Sequence, residues 1–253
     1  IDEVGFDRCS TASNHSWDLG ANGIASTLDA FDELGITHTG TARTAQEAGH
    51  ELFTVNGVRV AHLSFTIFSN TGPAPERWRF DFVSSPRQIA DAVDATRQAG
   101  AEVVIVSIHT SKELLHAPTP TDRAFTTALI GMADIDLVVQ HGPHVIQPLE
   151  RVGDTWVYWS LGNFLSGMGE SSDHRYGADS LDGLLAWARF TERADQPGRF
   201  DVDPTTVLIC TERTTRILHA GIAERDDPAL PPNVRTQLDG CVARSIPIVP
   251  ATK

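Results

Sequence analysis

An α/β fold follows from two continuous apolar runs, EVVIVSI (102–108) and IDLVVQ (135–140), each of strand length and each preceded by a segment of helical spacing. Both runs stop on histidine, at His109 and at His141 in HGPHV. Strands that are apolar throughout belong inside a mainly parallel sheet, and α/β sheets place their ligands at the strand C-terminal ends. Chemistry is therefore expected where these histidines stand.

The remaining elements follow in chain order. VGFDRCST (4–11) reads as a short strand, and the loop SNHSWDLG delivers a helix with Ile24, Leu28, Phe31 and Leu34 on one face, stopped by Gly35. Residues 51–66 form a hairpin about Asn56-Gly57, a pair that supplies the positive φ angles of a two-residue turn. A long loop covers 67–84. Ser85-Pro86 then caps a helix to about Ala99, closed by Gly100, and a second helix spans roughly 121–132. Strands are expected at 148–151 and 155–160 about a Gly153-Asp154 turn, and again at 181–191 and 201–210. From about 225 the chain is Pro-rich, which predicts a single domain over 1–225 and a tail, 226–253, packed on the surface.

Composition narrows the function classes. With 41% apolar and 21% charged residues the 253-residue chain can bury a sizeable core, and a formal charge of −13 opposes a phosphate backbone. Nucleic acid is not an expected partner, and no stretch approaches a membrane span. Cys9, Cys210 and Cys241 lack zinc-site spacing, leaving one bridge between the last two open.

Four polar clusters follow strands: Asn14-His15 with Asp18; His109 with Glu113; His141 with His144; and Gly162-Asn163. Imidazole, amide oxygen and carboxylate together suit a divalent metal such as Zn, Mn or Fe, with Ca or Mg also admissible. Asp18 has a structural alternative as the cap of the helix that begins near Gly20. His38, His50, His62, His116, His174 and His219 have no second polar partner nearby in the sequence and read as structural.

The run GFDRCSTASNHSWDLG, with its following helix and GTARTAQEA, resembles the CapA family of the calcineurin-like metallophosphoesterase superfamily, whose pattern there is GFD, NNHxxDxG, then GxGxxxxEA. NGVRVAHLSFT with Asn70, His109 with Glu113 (family HxGxEY), QHGPHVIQPLE (GxHxHVxQPxE) and WVYWSLGNF (YSLGNF) continue the resemblance in order, from about residue 4 to 166. It implies a metallophosphatase sandwich of mixed sheets flanked by helices, with a metal held by Asn14, His109 and His144. It further implies His15 with Asp18 as catalytic groups, and Glu113, Asn70 and Asn163 against substrate; His141, a histidine standing beside the position where the family has one, is read as a further catalytic or substrate-contacting group, with shaping of the loop as its alternative.

Gly142 stands where the family has histidine, Ser111 where it has glycine, and the family's opening GD and NxE strands have no counterpart, so an N-terminal portion is expected elsewhere. The function expected from the resemblance is metal-activated hydrolysis of a peptide or poly-glutamate-type substrate. Metal-assisted Cα epimerisation in ribosomal (lasso) peptide synthesis and a non-catalytic capsule-assembly role are the alternatives. Family membership points to the cell envelope, and this chain's first residues, without a leader pattern, to the cytoplasm.

Overall fold

In a computed structural model, described over residues 2–168, 176–214 and 217–249, the chain divides into two compact units. The first holds 1–111 and 121–138, the second 112–120 and 139–253, where the sequence led us to expect one domain over 1–225. His174 lies outside the described residues.

In the first unit, β1 (Arg8–Ser10) and β2 (Thr37–Thr39) pair in parallel on either side of α1 (Gly20–Leu34) in sequence. Ile24 and Leu28 of α1 are buried, as their spacing predicts, and Gly35 ends the helix at φ 70°. β3 (Leu52–Val55) and β4 (Val58–Thr66) form the hairpin, and Asn56 and Gly57 take φ angles of 49° and 85°. β4 pairs in parallel with β5 (Val103–His109), in register from Val60–Val103 to Thr66–His109. Ala61, Leu63, Val104, Val106 and Ile108 are fully buried there.

α2 (Pro86–Gln98) precedes β5, and α3 (Pro120–Ile130) precedes β6 (Leu137–His141), the neighbour of β5. At the N-terminus of α2, Gln88 Oε1 accepts from the Ser84 and Ser85 amides at 2.9 and 3.2 Å, so the expected cap is present with glutamine closing it. Asp136 accepts from the Val104 amide and from Arg97, both at 2.7 Å, which ties the start of β6 to β5.

One glycine decides where the loop after β1 can run. Gly40 has φ 115°, and a Cβ there would lie 2.6 Å from the Ala12 nitrogen and 2.9 Å from Ser64 Oγ. Only glycine allows that approach.

In the second unit β6 runs beside β8 (Thr155–Leu161), which pairs antiparallel with β7 (Ile146–Val152). A long hairpin, β9 (Asp182–Arg193) and β10 (Gln196–Thr211), carries β11 (Leu218–Ala220) on its edge. After the short α4 (Gly221–Glu224), the region expected as a surface tail forms α5 (Pro232–Ser245). Its prolines open the helix instead of breaking it, since the first turn needs no proline N–H. Val234, Leu238, Cys241 and Val242 of α5 pack with Ile146, Leu184 and Leu208 in one core. Cys210 and Cys241 are disulfide-bonded across 31 residues. Among the described residues no helix is long and apolar enough to cross a membrane.

Closing a loop of that length restricts the unfolded chain, so Cys210→Ala with Cys241→Ala is expected to lower stability by about 3–4 kcal/mol. The urea midpoint measures this, and an unchanged midpoint would show that packing of α5 alone holds the helix.

Candidate functional site

In the first unit the chemistry gathers on the loop after β1. Ser16 Oγ donates to Thr11 O at 2.5 Å and accepts from the Ser13 amide at 2.8 Å, folding residues 11–16 into a tight turn. The Asn70 amide donates to Asn14 O at 3.0 Å and joins this turn to the loop after β4. His15 and Asp18 emerge as a pair, with Nδ1 2.5 Å from Oδ2 and both side chains well exposed. The capping alternative for Asp18 fails. The N-cap of α1 is Leu19, without a side-chain cap bond, and Asp18 is spent on the imidazole.

Asn70 completes the arrangement. Asn14 Nδ2 donates to Asn70 Oδ1 at 3.4 Å, which points Asn70 Nδ2 at the His15 ring, 3.3 Å from each nitrogen. A carboxylate can only accept, so Nδ1 carries the proton and Nε2 keeps the lone pair, to which the amide of Asn70 can donate. An Asp–His pair whose second ring nitrogen keeps its lone pair is the makings of a general acid/base. Asn14 Oδ1 stays available as a donor atom. His109 ends β5, 7% exposed, and its carbonyl accepts from the Ile67 amide at 3.1 Å.

The second unit holds the other expected residues. His141 ends β6, and burial pushes its imidazole down to about 4, so it is neutral at neutral pH. The bend expected at Gly142-Pro143 is present: Gly142 has φ 119° and His144 takes the left-handed φ of 62°. His144 Nδ1 lies 3.0 Å from Asn163 Oδ1, while Asn163 Nδ2 donates to Ser180 O at 2.9 Å and to His144 O at 3.3 Å. Two carbonyl acceptors around Nδ2 settle which end of the amide faces His144. Its Oδ1 must then accept from an Nδ1–H, leaving Nε2 of His144 as the basic nitrogen.

Asn163, expected against substrate, holds the His144 ring through its Oδ1. Gly183 lets β9 approach the backbone of this residue, since an added Cβ there would lie 2.1 Å from the Asn163 backbone carbonyl oxygen. Glu113 is exposed on the segment after β5.

His116, read as structural, has Nε2 3.0 Å from Asp179 Oδ2 and Nδ1 3.1 Å from Ile146 O. Its acid partner is 63 residues away, so no local pattern could have shown it. Asp81 was also missed; burial pushes its carboxyl up to about 7.

Among the described residues no group of three or more His, Cys, Asp or Glu forms a metal cluster. The set implied by the resemblance contains only two such residues, His109 and His144, with Asn14 as an amide donor. Its donor types suit a divalent ion.

A family model for the bacterial capsule synthesis protein PGA_cap matches residues 1–168. The chain is 31% identical over 175 residues to the capsule biosynthesis protein CapA of Bacillus anthracis, covering 67% of this chain and 42% of that protein. It is 27% identical over 209 residues to the PGA biosynthesis protein CapA of Bacillus subtilis (strain 168), covering 82% and 52%. The chain thus spans about half the length of these relatives. Among solved structures it is similar to the calcineurin-like phosphoesterase YfkN from Bacillus subtilis, with TM-score 0.51 and 11% identity over 96% of this chain and 70% of that one. That likeness establishes the calcineurin-like fold.

Two outcomes are expected. Asn163→Ala should release His144 from the Nδ1–H form into a mixture of tautomers, visible in the ring-nitrogen shifts; an unchanged spectrum would show that the backbone alone sets the ring. For Asp81, a pKa raised from 3.8 to about 7 means that the neutral acid is favoured by the fold. Its contribution to stability is complete below the unfolded pKa and lost as pH rises through about 7. Asp81→Asn should therefore raise the melting temperature increasingly as pH rises from about 4 to about 7, and by a constant amount above that. A gain independent of pH would contradict the burial.

Proposed function

Because the chain belongs to the bacterial capsule synthesis PGA_cap family, we propose that it acts in the making of a poly-glutamate-type capsule polymer, as a metal-dependent enzyme whose acid/base group is His15. The observation that carries this reading is the His15–Asp18 pair with Asn70 on the ring: a solvent-facing imidazole held in one tautomer. As metal-ligating donors we assign Asn14 Oδ1 and His109 in the first unit, and His144 in the second, each unit taken by itself. A bound divalent ion would supply Lewis acidity at the substrate carbonyl.

His15 Nε2 then takes the proton from an attacking water and passes it to the leaving amine. Asp18 keeps Nδ1 protonated and stabilises the imidazolium formed in between. His141, neutral beside His144 in the sequence, is a second proton-transfer or substrate contact, and exposed Glu113 is a contact for the substrate's N–H groups. The family's capsule role favours a carboxylate-rich peptide as substrate.

Incubating the metal-loaded protein with poly-γ-glutamate in D₂O tests the reading. Shortened chains support it. Deuterium at Cα without shortening would replace hydrolysis by epimerisation, and neither change would leave a non-catalytic role in assembly. His15→Ala should keep the melting temperature, since the pair is exposed, and slow turnover by roughly 10²–10⁴-fold. His144→Ala should lower bound metal in elemental analysis, and full occupancy would remove His144 from the ligand set.

A further inference from the structure

A serine standing between His15 and Asp18 invites a different reading of this site, as a serine nucleophile with its histidine and its acid at hand. The hydrogen bonds leave no room for it. We propose instead that Ser16 is a positioning residue, which together with Ser13 ties the His15–Asp18 pair to β2 through a chain of hydrogen bonds running in one direction. The proposal rests on the reading of His15 as the acid/base group, and it lies wholly within the first unit.

A hydroxyl has one proton to give and two lone pairs to offer. Ser16 Oγ lies 2.5 Å from Thr11 O, and a carbonyl can only accept, so the Ser16 proton is used there. In the contact between Ser13 Oγ and Ser16 Oγ, at 3.2 Å, the donor must then be Ser13. Ser16 also accepts from the Ser13 amide at 2.8 Å, which takes its second lone pair. Ser16 has no proton left for a base and no lone pair left for a substrate.

Ser13 continues the chain. Its proton goes to Ser16, and its oxygen accepts from the backbone amide of His15 at 3.3 Å. The order is therefore fixed from end to end: His15 N–H to Ser13, Ser13 to Ser16, Ser16 to Thr11 O. Bonds that run head to tail polarise and strengthen one another.

The far end is anchored. Thr11 donates to Thr39 O through its amide and through Oγ1, both at 2.9 Å, and its Oγ1 accepts from Thr41 Oγ1 at 2.8 Å. Thr39 is the last residue of β2. At the near end the Asp18 amide donates to His15 O at 3.3 Å, which joins the backbones of the pair, and Trp17 between them packs on the cluster of Ala12, Ala74 and Phe80. An exposed ion pair holds its own geometry only weakly, so the geometry of this one comes from the turn beneath it.

The test compares the full chain with Ser13→Ala, Ser16→Ala and the double variant. At alkaline pH, where an imidazole is neutral, the ring-nitrogen shifts of His15 should move from the Nδ1–H form toward a tautomer mixture in either single variant, and no further in the double. With poly-γ-glutamate as substrate, Ser16→Ala should lower kcat by about 10–10²-fold with KM unchanged, and should cost nothing more once His15 is replaced by alanine. Phenylmethylsulfonyl fluoride, a probe for activated serines, should leave Ser16 of the unaltered chain without an adduct in mass spectrometry. An adduct on Ser16 would restore the nucleophile. Unchanged ring shifts in both single variants would remove the positioning role, and a further loss from Ser16→Ala in the His15→Ala background would show that Ser16 does not act through His15. If His15→Ala leaves turnover intact, the acid/base reading falls, while the ring shifts still decide whether Ser13 and Ser16 hold the pair.

Discussion

Buried parallel strands leave no room for unpaired polar groups, and that constraint governs where this chain can do chemistry. β4 and β5 satisfy each other's backbones and fill their faces with Leu63, Val104, Val106 and Ile108. The first place where polar side chains can work is the strand end, where Thr66 stands opposite His109. The His109 carbonyl holds the Ile67 amide, and three residues later the Asn70 amide holds Asn14. A short path of backbone bonds thus carries the rigidity of the sheet to the loop that presents His15 and Asp18. Gly40 completes the path from the other side, because a side chain there would displace Ala12.

The second unit reaches a similar end by different means. His144 sits in a left-handed conformation that costs energy for a branched-out side chain, so something must keep it there. The amide of Asn163 does so, accepting from the ring while donating to the backbone of His144 and Ser180. Glycines in turn let β9 approach the backbone of Asn163, and β9 is tied to α5 through Asp182 and Arg244, paired at 2.8 and 2.9 Å. A histidine of the family's motif therefore depends on a helix nearly a hundred residues further along the chain.

Charge is handled differently in the two kinds of place. The exposed His15–Asp18 pair keeps water around it and can exchange protons, whereas His38, His50 and His141 are pushed toward the neutral form by burial. In an acidic protein the buried imidazoles act as acceptors or donors of hydrogen bonds rather than as cations. Arg43 shows the same economy: one guanidinium gathers carboxylates from α1 and from Glu47 on the wall of a cavity beside β2.

Whatever depends on short-range physics was legible in the amino-acid order. The apolar runs specify β5 and β6, Asn56-Gly57 specifies the hairpin, Gly35 the end of α1, and the strand-end histidines together with the GFD-to-LGNF motifs specify the family. Each follows from torsional preference or from periodicity within a few residues. The choice between the two readings of Asp18, the Asn163 contact with His144, the His116–Asp179 contact, α5 as part of a core and the cavity beside β2 were not legible. In each of these the deciding partner is a backbone carbonyl or a side chain brought near by packing, and no local pattern distinguishes a capping aspartate from one that holds an imidazole, or a proline that ends a chain from one that begins a buried helix. Tertiary structure decided those cases because a hydrogen bond is recognised by distance and direction in space, which sequence separation does not encode.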